Sequence, residues 1–138
     1  MAFKVFLDAN IILDFLLKRS DYEAAREVIK LAVEKKIQAH ITPAIVHIVA
    51  YWVTKAYGRQ KTKELILLLL EDVKVIDATH EITIEALQSG IDDIEDALQY
   101  YTALHSKLNL FISRDKKLQT SALNQLPVYD TSEFLKLM

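Results

Sequence analysis

Four aspartates fall where the edge of a sheet would gather side chains, and their chemistry is that of a divalent metal site. Asp8 and Asp115 each lie just past a short apolar segment, and Asp93 and Asp96 lie three residues apart at the start of a helical pattern. In a parallel α/β sheet the carboxyl ends of the strands meet at one edge, where ligands bind. Gathered carboxylates repel one another unless cations lie between them, and hard cations prefer oxygen ligands. The four acids therefore predict a divalent metal site suited to phosphodiester chemistry.

Each aspartate also has a structural explanation when it is taken alone. Asp8 and Asp93 suit helix caps or first-turn positions. Asp96 suits the positive end of a helix dipole, and Asp115 suits a turn. These alternatives stay open for any one residue. Their joint placement favours a site, because helix caps have no reason to gather at one edge of a sheet.

The elements that must position these acids alternate between strands and helices. Phe3–Leu7 reads as a buried parallel strand that ends at Asp8, and Leu110–Ile112 as another that ends at Ser113. About five short strands alternating with helices predict a three-layer α/β/α sandwich around a central parallel sheet. The other predicted strands are 39–41, 73–76 and one near Val128. The predicted helices are 10–17, 22–35, 43–57, 61–71, 81–88, 94–108, a short one after Asp115 and one from Thr131.

Three helices carry further predictions. Ser20 with Glu23 matches a capping box for helix 22–35. Thr42 and Pro43 match the cap and first turn of a helix that stops at Gly58. Residues 65–70 are apolar on every side, so helix 61–71 is either wholly buried or part of a subunit interface, and we favour the interface.

Composition limits the class of protein. The 138 residues fit one domain, taken here as residues 1–138, and a hydrophobic content of 51% excludes a disordered chain. The absence of cysteine excludes disulfides and thiolate metal sites. No apolar run is long enough to span a bilayer, and the first residues lack the apolar core of a signal peptide. We therefore expect a cytoplasmic protein with no membrane partner.

Charge is unevenly distributed along the chain. The net charge of −2 argues weakly against a nucleic-acid partner. However, residues 1–76 hold 12 basic and 9 acidic side chains, whereas residues 77–138 hold 5 and 10. Basic residues cluster around Gly58, namely Lys55, Arg59, Lys61 and Lys63. Such a cluster beside an acidic pocket would suit binding of a phosphodiester substrate. For any one of these basic residues, the alternative is a solvated position at a helix end.

Three blocks of the sequence resemble the signature of a known family. They are FKVFLDANIILD from Phe3, IEDALQYY from Ile94 and FISRD from Phe111. In this order and spacing they resemble PIN (PilT N-terminal) domains over essentially the full chain. The resemblance implies a doubly wound α/β fold, a Mg²⁺- or Mn²⁺-dependent ribonuclease and often a homodimer. Many members are toxins of the virulence-associated protein C type, which a co-encoded antitoxin protein neutralises.

The resemblance also implies roles for single residues. Asp8, Asp96 and Asp115 would be catalytic metal ligands, with Asp93 as a supporting carboxylate. Asn10 matches a small polar residue, and its implied task is a hydrogen bond that orients Asp8.

The chain departs from the family pattern at one position. Most active members carry a glutamate early in the helix after the second strand, and its position here falls on His47 or Ile48. His47 could bind Mn²⁺ or a phosphate, or be a half-buried helix residue. Ser113 and Arg114 are expected to contact the phosphate, and a solvated surface position is the alternative for Arg114. A ribonuclease is the predicted function, and a catalytically degenerate RNA- or protein-binding module is the alternative.

A phosphoacceptor role for Asp8 is a weaker alternative. Haloacid dehalogenases need a second aspartate two residues on, where this chain has Asn10. A receiver domain would place its phosphoacceptor near Asp77, which reads better as a loop or cap residue. The chain has two glycines, Gly58 and Gly90, so a glycine-rich nucleotide cradle is absent.

Overall fold

A sheet of five parallel strands forms the centre of the molecule, in a computed structural model that describes residues 2–138. The strands are β1 Phe3–Leu7, β2 Ile37–Ile41, β3 Val73–Val75, β4 Leu110–Ile112 and β5 Val128–Tyr129. The helices are α1 Ala9–Leu16, α2 Tyr22–Val33, α3 Pro43–Tyr57, α4 Arg59–Leu69, α5 His80–Gln88, α6 Ile94–His105, α7 Lys116–Ser121 and α8 Thr131–Leu137.

The order of the strands creates a binding position at the sheet edge. The order is β3-β2-β1-β4-β5, and each neighbouring pair is parallel. The chain therefore builds outward from β1 to β3 and then returns to the other side of β1 with β4. In open α/β sheets ligands bind outside the carboxyl ends of the strands at such a reversal. The predicted α/β fold, with helices flanking a parallel sheet, is confirmed.

The buried centre of the sheet fixes where β1 and β4 end. The rings of Phe6 and Phe111 stack with centroids 4.7 Å apart. Tyr100 of α6 packs on Phe111, and its hydroxyl donates to the carbonyl of Leu126 at 2.6 Å and accepts from the backbone of Leu123 at 2.8 Å. A fully buried tyrosine with both hydrogen bonds satisfied holds α6 firmly against β4. The start of α6 is thereby set relative to the strand ends.

Helix α3 begins and ends as predicted. The Thr42 hydroxyl accepts a hydrogen bond from the backbone of Ile45 at 3.3 Å, and Pro43 occupies the first turn. The helix stops at Gly58, which has a φ of 84° that favours glycine. The Thr42 hydroxyl also donates to the buried side chain of Gln99 on α6. This hydrogen bond ties the start of α3 to the helix that carries Asp96.

The capping box predicted at Ser20 and Glu23 is wrong. Helix α2 does begin at Tyr22, but its N-cap is Asp21, whose side chain makes no capping hydrogen bond. The reason is a turn in which the backbone N–H of Tyr22 donates to the carbonyl of Arg19 at 3.0 Å. The turn makes Asp21 the cap residue and leaves its carboxylate free for Arg114, which donates to it at 2.9 Å.

Helix α6 ends at His105, three residues before the predicted end. Lys107 has a φ of 59°, and the N–H of Leu108 donates to the carbonyl of Ala103 at 3.2 Å. This is the usual left-handed helix ending, for which glycine is the common residue. A lysine at that position gave no sequence signal. Helix α4 likewise covers Arg59–Leu69 instead of the predicted 61–71.

Helix α4 is not wholly buried in this chain. Leu67 and Leu68 are 68% and 61% exposed, whereas Leu69 is buried. The alternative of complete burial within the chain is therefore wrong, and the subunit interface stays a prediction. No helix within residues 2–138 is both long and apolar enough to cross a membrane.

Candidate functional site

The carboxyl ends of β1 and β4 bring the four predicted acids around one cavity. Asp8 follows β1, Asp115 lies just beyond β4, and Asp93 and Asp96 lie at the start of α6. All four line a cavity of about 500 Å³, and an adjoining cavity of about 460 Å³ is lined by three of them. The other residues lining the first cavity are Ala9, Asn10, Leu13, Arg19, Ile48, Trp52, Glu95 and Arg114.

Three of the four acids are also helix caps. Asp8 accepts from the backbone of Ala9 at 2.7 Å, and Asp93 accepts from that of Asp96 at 2.9 Å. Asp115 accepts from the first turn of α7 at 2.9 and 3.2 Å. Hydrogen bonds from N–H groups favour the charged carboxylate. These three acids are therefore both helix caps and neighbours at one edge of the sheet. The two roles are compatible, because the capping N–H groups stabilise the negative charge of carboxylates that lie close together.

Ser113 connects two of these acids. Its side chain is fully buried, and its hydroxyl donates to Asp8 Oδ2 at 2.8 Å and accepts from the backbone of Asp115 at 3.1 Å. The expectation that Ser113 contacts a phosphate is wrong, because burial hides the hydroxyl from a ligand. The hydrogen bond predicted from Asn10 to Asp8 is absent from residues 2–138, and the donors to the two oxygens of Asp8 are instead Ala9 and Ser113. Asn10 lines the cavity instead.

Arg114 lines the cavity and is held by two aspartates. Its Nη1 donates to Asp14 Oδ2 and to Asp21 Oδ2, both at 2.9 Å. Burial raises the pKa of the Asp14 carboxyl, and the charge of Arg114 opposes that rise. Arg114 is thus not a freely solvated residue. Its positive charge sits beside the acids and joins α1 to the start of α2.

Of the two positions for the missing glutamate, Ile48 is the one that faces the cavity. Ile48 and Trp52 both line it, as expected for residues four apart on α3. His47 is exposed and does not line it. A helix turns about 100° per residue, so His47 points away when its neighbour faces the acids. Of the two candidate positions, the one that faces the acids therefore carries an apolar side chain.

The gathered charge shifts the protonation of the acids. Burial raises the pKa of Asp96 to about 7, and repulsion from the other three acids adds to the shift. Burial also raises the pKa of Asp8, and the hydrogen bonds from Ser113 and Ala9 oppose that rise. Asp96 is therefore close to half protonated at neutral pH when no cation offsets the surrounding charge.

Glu95 and Trp52 belong to the cavity wall and were missed in the sequence. Burial, followed by repulsion from Asp93 and Asp8, raises the pKa of Glu95, so this fifth carboxylate feels the same cluster. Glu95 lies inside one of the three signature blocks, beside Asp96, but its exposed position on the first turn of α6 gives no hint of its direction. Trp52 was recognisable only through its spacing of four residues from Ile48.

The donor chemistry of the cavity fits a hard divalent cation. The carboxylates present oxygen ligands, which Mg²⁺ and Mn²⁺ prefer, and no sulfur or histidine nitrogen lines the cavity. Within residues 2–138, no three acidic or histidine side chains are arranged as a finished ligand set. Without a cation, burial and the charges of the neighbouring acids favour a proton on Asp96. A cation and that proton would compete for the same oxygens.

Comparison with known proteins agrees with this architecture. The sequence profile described as "PIN domain" matches residues 4–117. No curated protein sequence matches the chain.

Several solved structures share the fold. VapBC2 of Rickettsia felis, bound to a DNA fragment from its promoter, matches with a TM-score of 0.66 at 19% identity, over 92% of this chain and 98% of that one. A toxin-antitoxin complex from Klebsiella pneumoniae gives 0.67 at 20% identity, over 91% and 98%. VapC20 of Mycobacterium tuberculosis, described as a Sarcin-Ricin loop cleaving toxin, gives 0.67 at 10% identity, over 88% and 97%.

The pKa of Asp96 predicts how stability depends on pH without metal. Its value of about 7 in the folded protein lies above the value of roughly 3.9 in an unfolded chain. The folded state therefore binds more protons between these values, and stability falls as pH rises from 4 through 7. Asp96→Asn should remove this loss. Because Asp96 is partly solvated, we expect the variant to be more stable than the parent by only about 1–2 kcal/mol at pH 8.

Urea unfolding followed by circular dichroism at pH 5 and pH 8, with EDTA present, tests this prediction. Glu71→Gln, an exposed acid after α4, is the matched control and should leave the pH dependence unchanged. An equal fall in stability from pH 5 to pH 8 for Asp96→Asn and the parent would contradict the assignment.

Proposed function

The chain belongs to the PIN domain family, and we propose that it is a metal-dependent ribonuclease that hydrolyses RNA phosphodiester bonds in the acidic cavity. The observation that carries this proposal is the convergence of Asp8, Asp93, Asp96 and Asp115 at the reversal between β1 and β4. Burial and, after it, repulsion from the other three acids raise the pKa of Asp96 to about 7, so the ionised carboxylate costs free energy in the absence of a cation. Such a costly arrangement is typical of a functional site.

Asp8, Asp96 and Asp115 are the residues that would hold Mg²⁺ or Mn²⁺, with Asp93 in support. A bound cation would supply Lewis acidity for the phosphate and for an attacking water. The chain contributes the positioning. Ser113 and the helix caps fix the carboxylates of Asp8 and Asp115, so their oxygens lie at set positions before the cation arrives. Arg114 adds a fixed positive charge beside the place of the phosphate.

Ile48 is the observation that favours the alternative function. An apolar residue in place of the usual glutamate removes one negative charge, so cation affinity should be lower than in most members. Glu95 offsets part of this loss, since it brings another carboxylate to the same cavity. A degenerate domain that binds RNA or protein without cleavage is therefore the second candidate.

We propose that the chain is the toxin of a toxin-antitoxin pair. The proposal rests on likeness in fold to VapBC proteins and to a toxin-antitoxin complex, which are themselves assemblies with an antitoxin. A gene for a small antitoxin protein should lie beside the gene for this chain, and expression of this chain alone should slow growth. An unaffected culture that makes soluble chain would count against toxicity.

A homodimer is a further part of the proposal. Two leucines of α4, Leu67 and Leu68, are exposed, and Leu68 lines an apolar groove of about 280 Å³ to which Phe15, Ile29 and Val33 contribute. Exposed apolar surface of this kind is typical of protein interfaces. We propose that a second copy of the chain covers it.

Loss of a metal ligand should abolish cleavage and leave the fold intact. Asp8→Asn keeps the hydrogen bond to Ala9 but removes the charge, so we expect cleavage to fall by more than about 100-fold. The assay is cleavage of a labelled, partly single-stranded RNA pool with Mn²⁺, Mg²⁺ or EDTA. Asp77→Asn is the matched control, because Asp77 also follows a strand and accepts from its next backbone N–H at 2.8 Å, yet lies outside the cavity.

Cleavage that needs metal, survives Asp77→Asn and disappears in Asp8→Asn would support the ribonuclease. Equal cleavage by Asp8→Asn and the parent would contradict the site. RNA binding without cleavage by the folded parent would favour the degenerate binding module.

Restoring a carboxylate on α3 should strengthen metal binding. Ile48→Glu adds a negative charge to the cavity wall that the acids share, and we expect this charge to tighten Mn²⁺ binding roughly tenfold. His47→Glu adds the same charge one residue away, outside the cavity, and should change binding little. Titration calorimetry with Mn²⁺ compares the two variants. A larger gain for His47→Glu would show that the orientation assigned to α3 is wrong.

The proposed dimer should depend on the apolar face of α4. Replacing both Leu67 and Leu68 by glutamine removes apolar surface without adding charge, and we expect the dimer to dissociate to a monomer at micromolar concentration. Light scattering coupled to size exclusion measures the mass. Leu87→Gln, an exposed leucine on α5, is the control that should remain dimeric. A monomeric parent chain would rule out the interface.

A further inference from the structure

The wall of the acidic cavity formed by α3 has no charge of its own and is aromatic. Trp52 lines the cavity together with Asp8 and Asp96, and it remains 45% exposed. A tryptophan this exposed gives up much of the stabilisation that burial of its ring would provide. Its position on the wall, in contact with the space above the carboxylates, makes it a surface for a ligand.

Trp52 belongs to a small exposed cluster on α3. The ring of Tyr51, itself 52% exposed, meets Trp52 edge to face with centroids 5.1 Å apart. The ammonium of Lys55 lies over both rings, 4.6 Å from the centroid of Tyr51 and 5.4 Å from that of Trp52. Edge-to-face packing and the cation hold the indole in place, so its orientation is set before a ligand arrives.

Positive charge continues from this cluster away from the acids. Lys55 lies three residues beyond Trp52, and α4 begins with Arg59, followed by Lys61 and Lys63, all of them exposed. None of these four basic residues forms an ion pair with another residue of the chain between 2 and 138. Arg19 adds a further cation to the cavity wall. An aromatic surface followed by available cations is the arrangement that binds single-stranded nucleic acid.

We propose that Trp52 stacks on an unpaired nucleobase of the RNA and that Lys55 binds the adjoining phosphate. This rests on the proposed ribonuclease, whose scissile phosphate would lie at the carboxylates. A base splayed out of a single strand has both faces free for stacking, whereas a base in a duplex has neither. The aromatic wall would therefore select single-stranded segments, and it would do so with little regard to base identity.

Charge complementarity favours RNA over a protein on this surface. The cavity wall continues from aromatic rings to Lys55 and the basic start of α4, which suits a chain of phosphates and flat bases. The apolar groove proposed for a second copy of the chain, which Leu68 of α4 lines, is separate, and Trp52 does not line it.

Trp52 is the single tryptophan of the chain, so its fluorescence reports on this surface alone. The protein to use is the full chain carrying Asp96→Asn, with EDTA, so that the RNA is bound and not cut. We expect a single-stranded oligonucleotide to quench the emission, since stacking brings a base against the indole. The duplex of the same sequence should not quench it.

Anisotropy of labelled RNA then gives affinities for the variants. Trp52→Ala should weaken binding of the single strand by roughly five- to 100-fold, and Trp52→Phe should retain most of it. Phe3→Ala is the matched control, an exposed aromatic at the opposite end of β1. Lys55→Ala should lower the slope of log affinity against log salt by about 0.7, whereas Lys4→Ala should not.

Three results would overturn the proposal. The first is binding of the single strand without quenching. The second is an equal loss of affinity for Trp52→Ala and Phe3→Ala. The third is an emission shift that follows protein concentration without RNA, because Trp52 would then be part of a subunit contact.

The cleavage assay and the fluorescence assay distinguish a failure of the proposed ribonuclease from a failure of the proposed stacking surface. If the parent chain with Mn²⁺ does not cut RNA but the single strand still quenches Trp52, the stacking surface is supported and the catalytic proposal is not.

Discussion

Repulsion between carboxylates gathered at one edge of the sheet is the constraint around which the rest of the site is built. Four aspartates share one cavity, and the pKa of Asp96 is raised to about 7 by burial and by its acidic neighbours. Backbone N–H groups offset part of this cost, because Asp8, Asp93 and Asp115 each cap a helix. The helix ends therefore serve two purposes: they close the helices, and they supply positive potential to the acids.

The core of the sheet fixes the positions of the acids relative to one another. The paired register of β1 and β4 continues past the strands, where the backbone of Asp8 donates to the carbonyl of Ile112 at 3.1 Å. The buried hydroxyl of Ser113 then joins Asp8 to the backbone of Asp115. Tyr100 anchors α6 to the same core. Asp93 and Asp96, at the start of α6, are therefore held close to Asp8 and Asp115. Packing thus holds together charges that would otherwise separate.

The sequence predicted the strands and the position of the acids best, because each of these patterns has a single physical cause. Short apolar runs predicted the parallel strands, and acids after two of those runs predicted the edge at which they meet. The helix end at Lys107 was missed because a left-handed lysine has no composition signal, unlike glycine. The expected bond from Asn10 to Asp8 was wrong, since Ser113 reaches Asp8 from a strand 105 residues away in sequence. Local sequence cannot show a partner that only the sheet brings near. The roles of the acids in metal binding stay predictions.

The division of the cavity into two kinds of wall follows from which elements contribute to it. The acids come from the ends of β1 and β4 and from the start of α6, whereas α3 contributes Ile48 and Trp52. A carboxylate at Ile48 would have surrounded the centre of the cavity with negative charge. Without it, the acids share the cavity with an apolar and aromatic wall, and the exposed cations of Lys55 and the start of α4 follow beyond that wall. An RNA strand has the same separation, with a charged backbone on one side and flat, weakly polar bases on the other. For the proposed RNA substrate, a cavity with an apolar residue at this position of α3 would depend less on charge and more on the face of an aromatic ring.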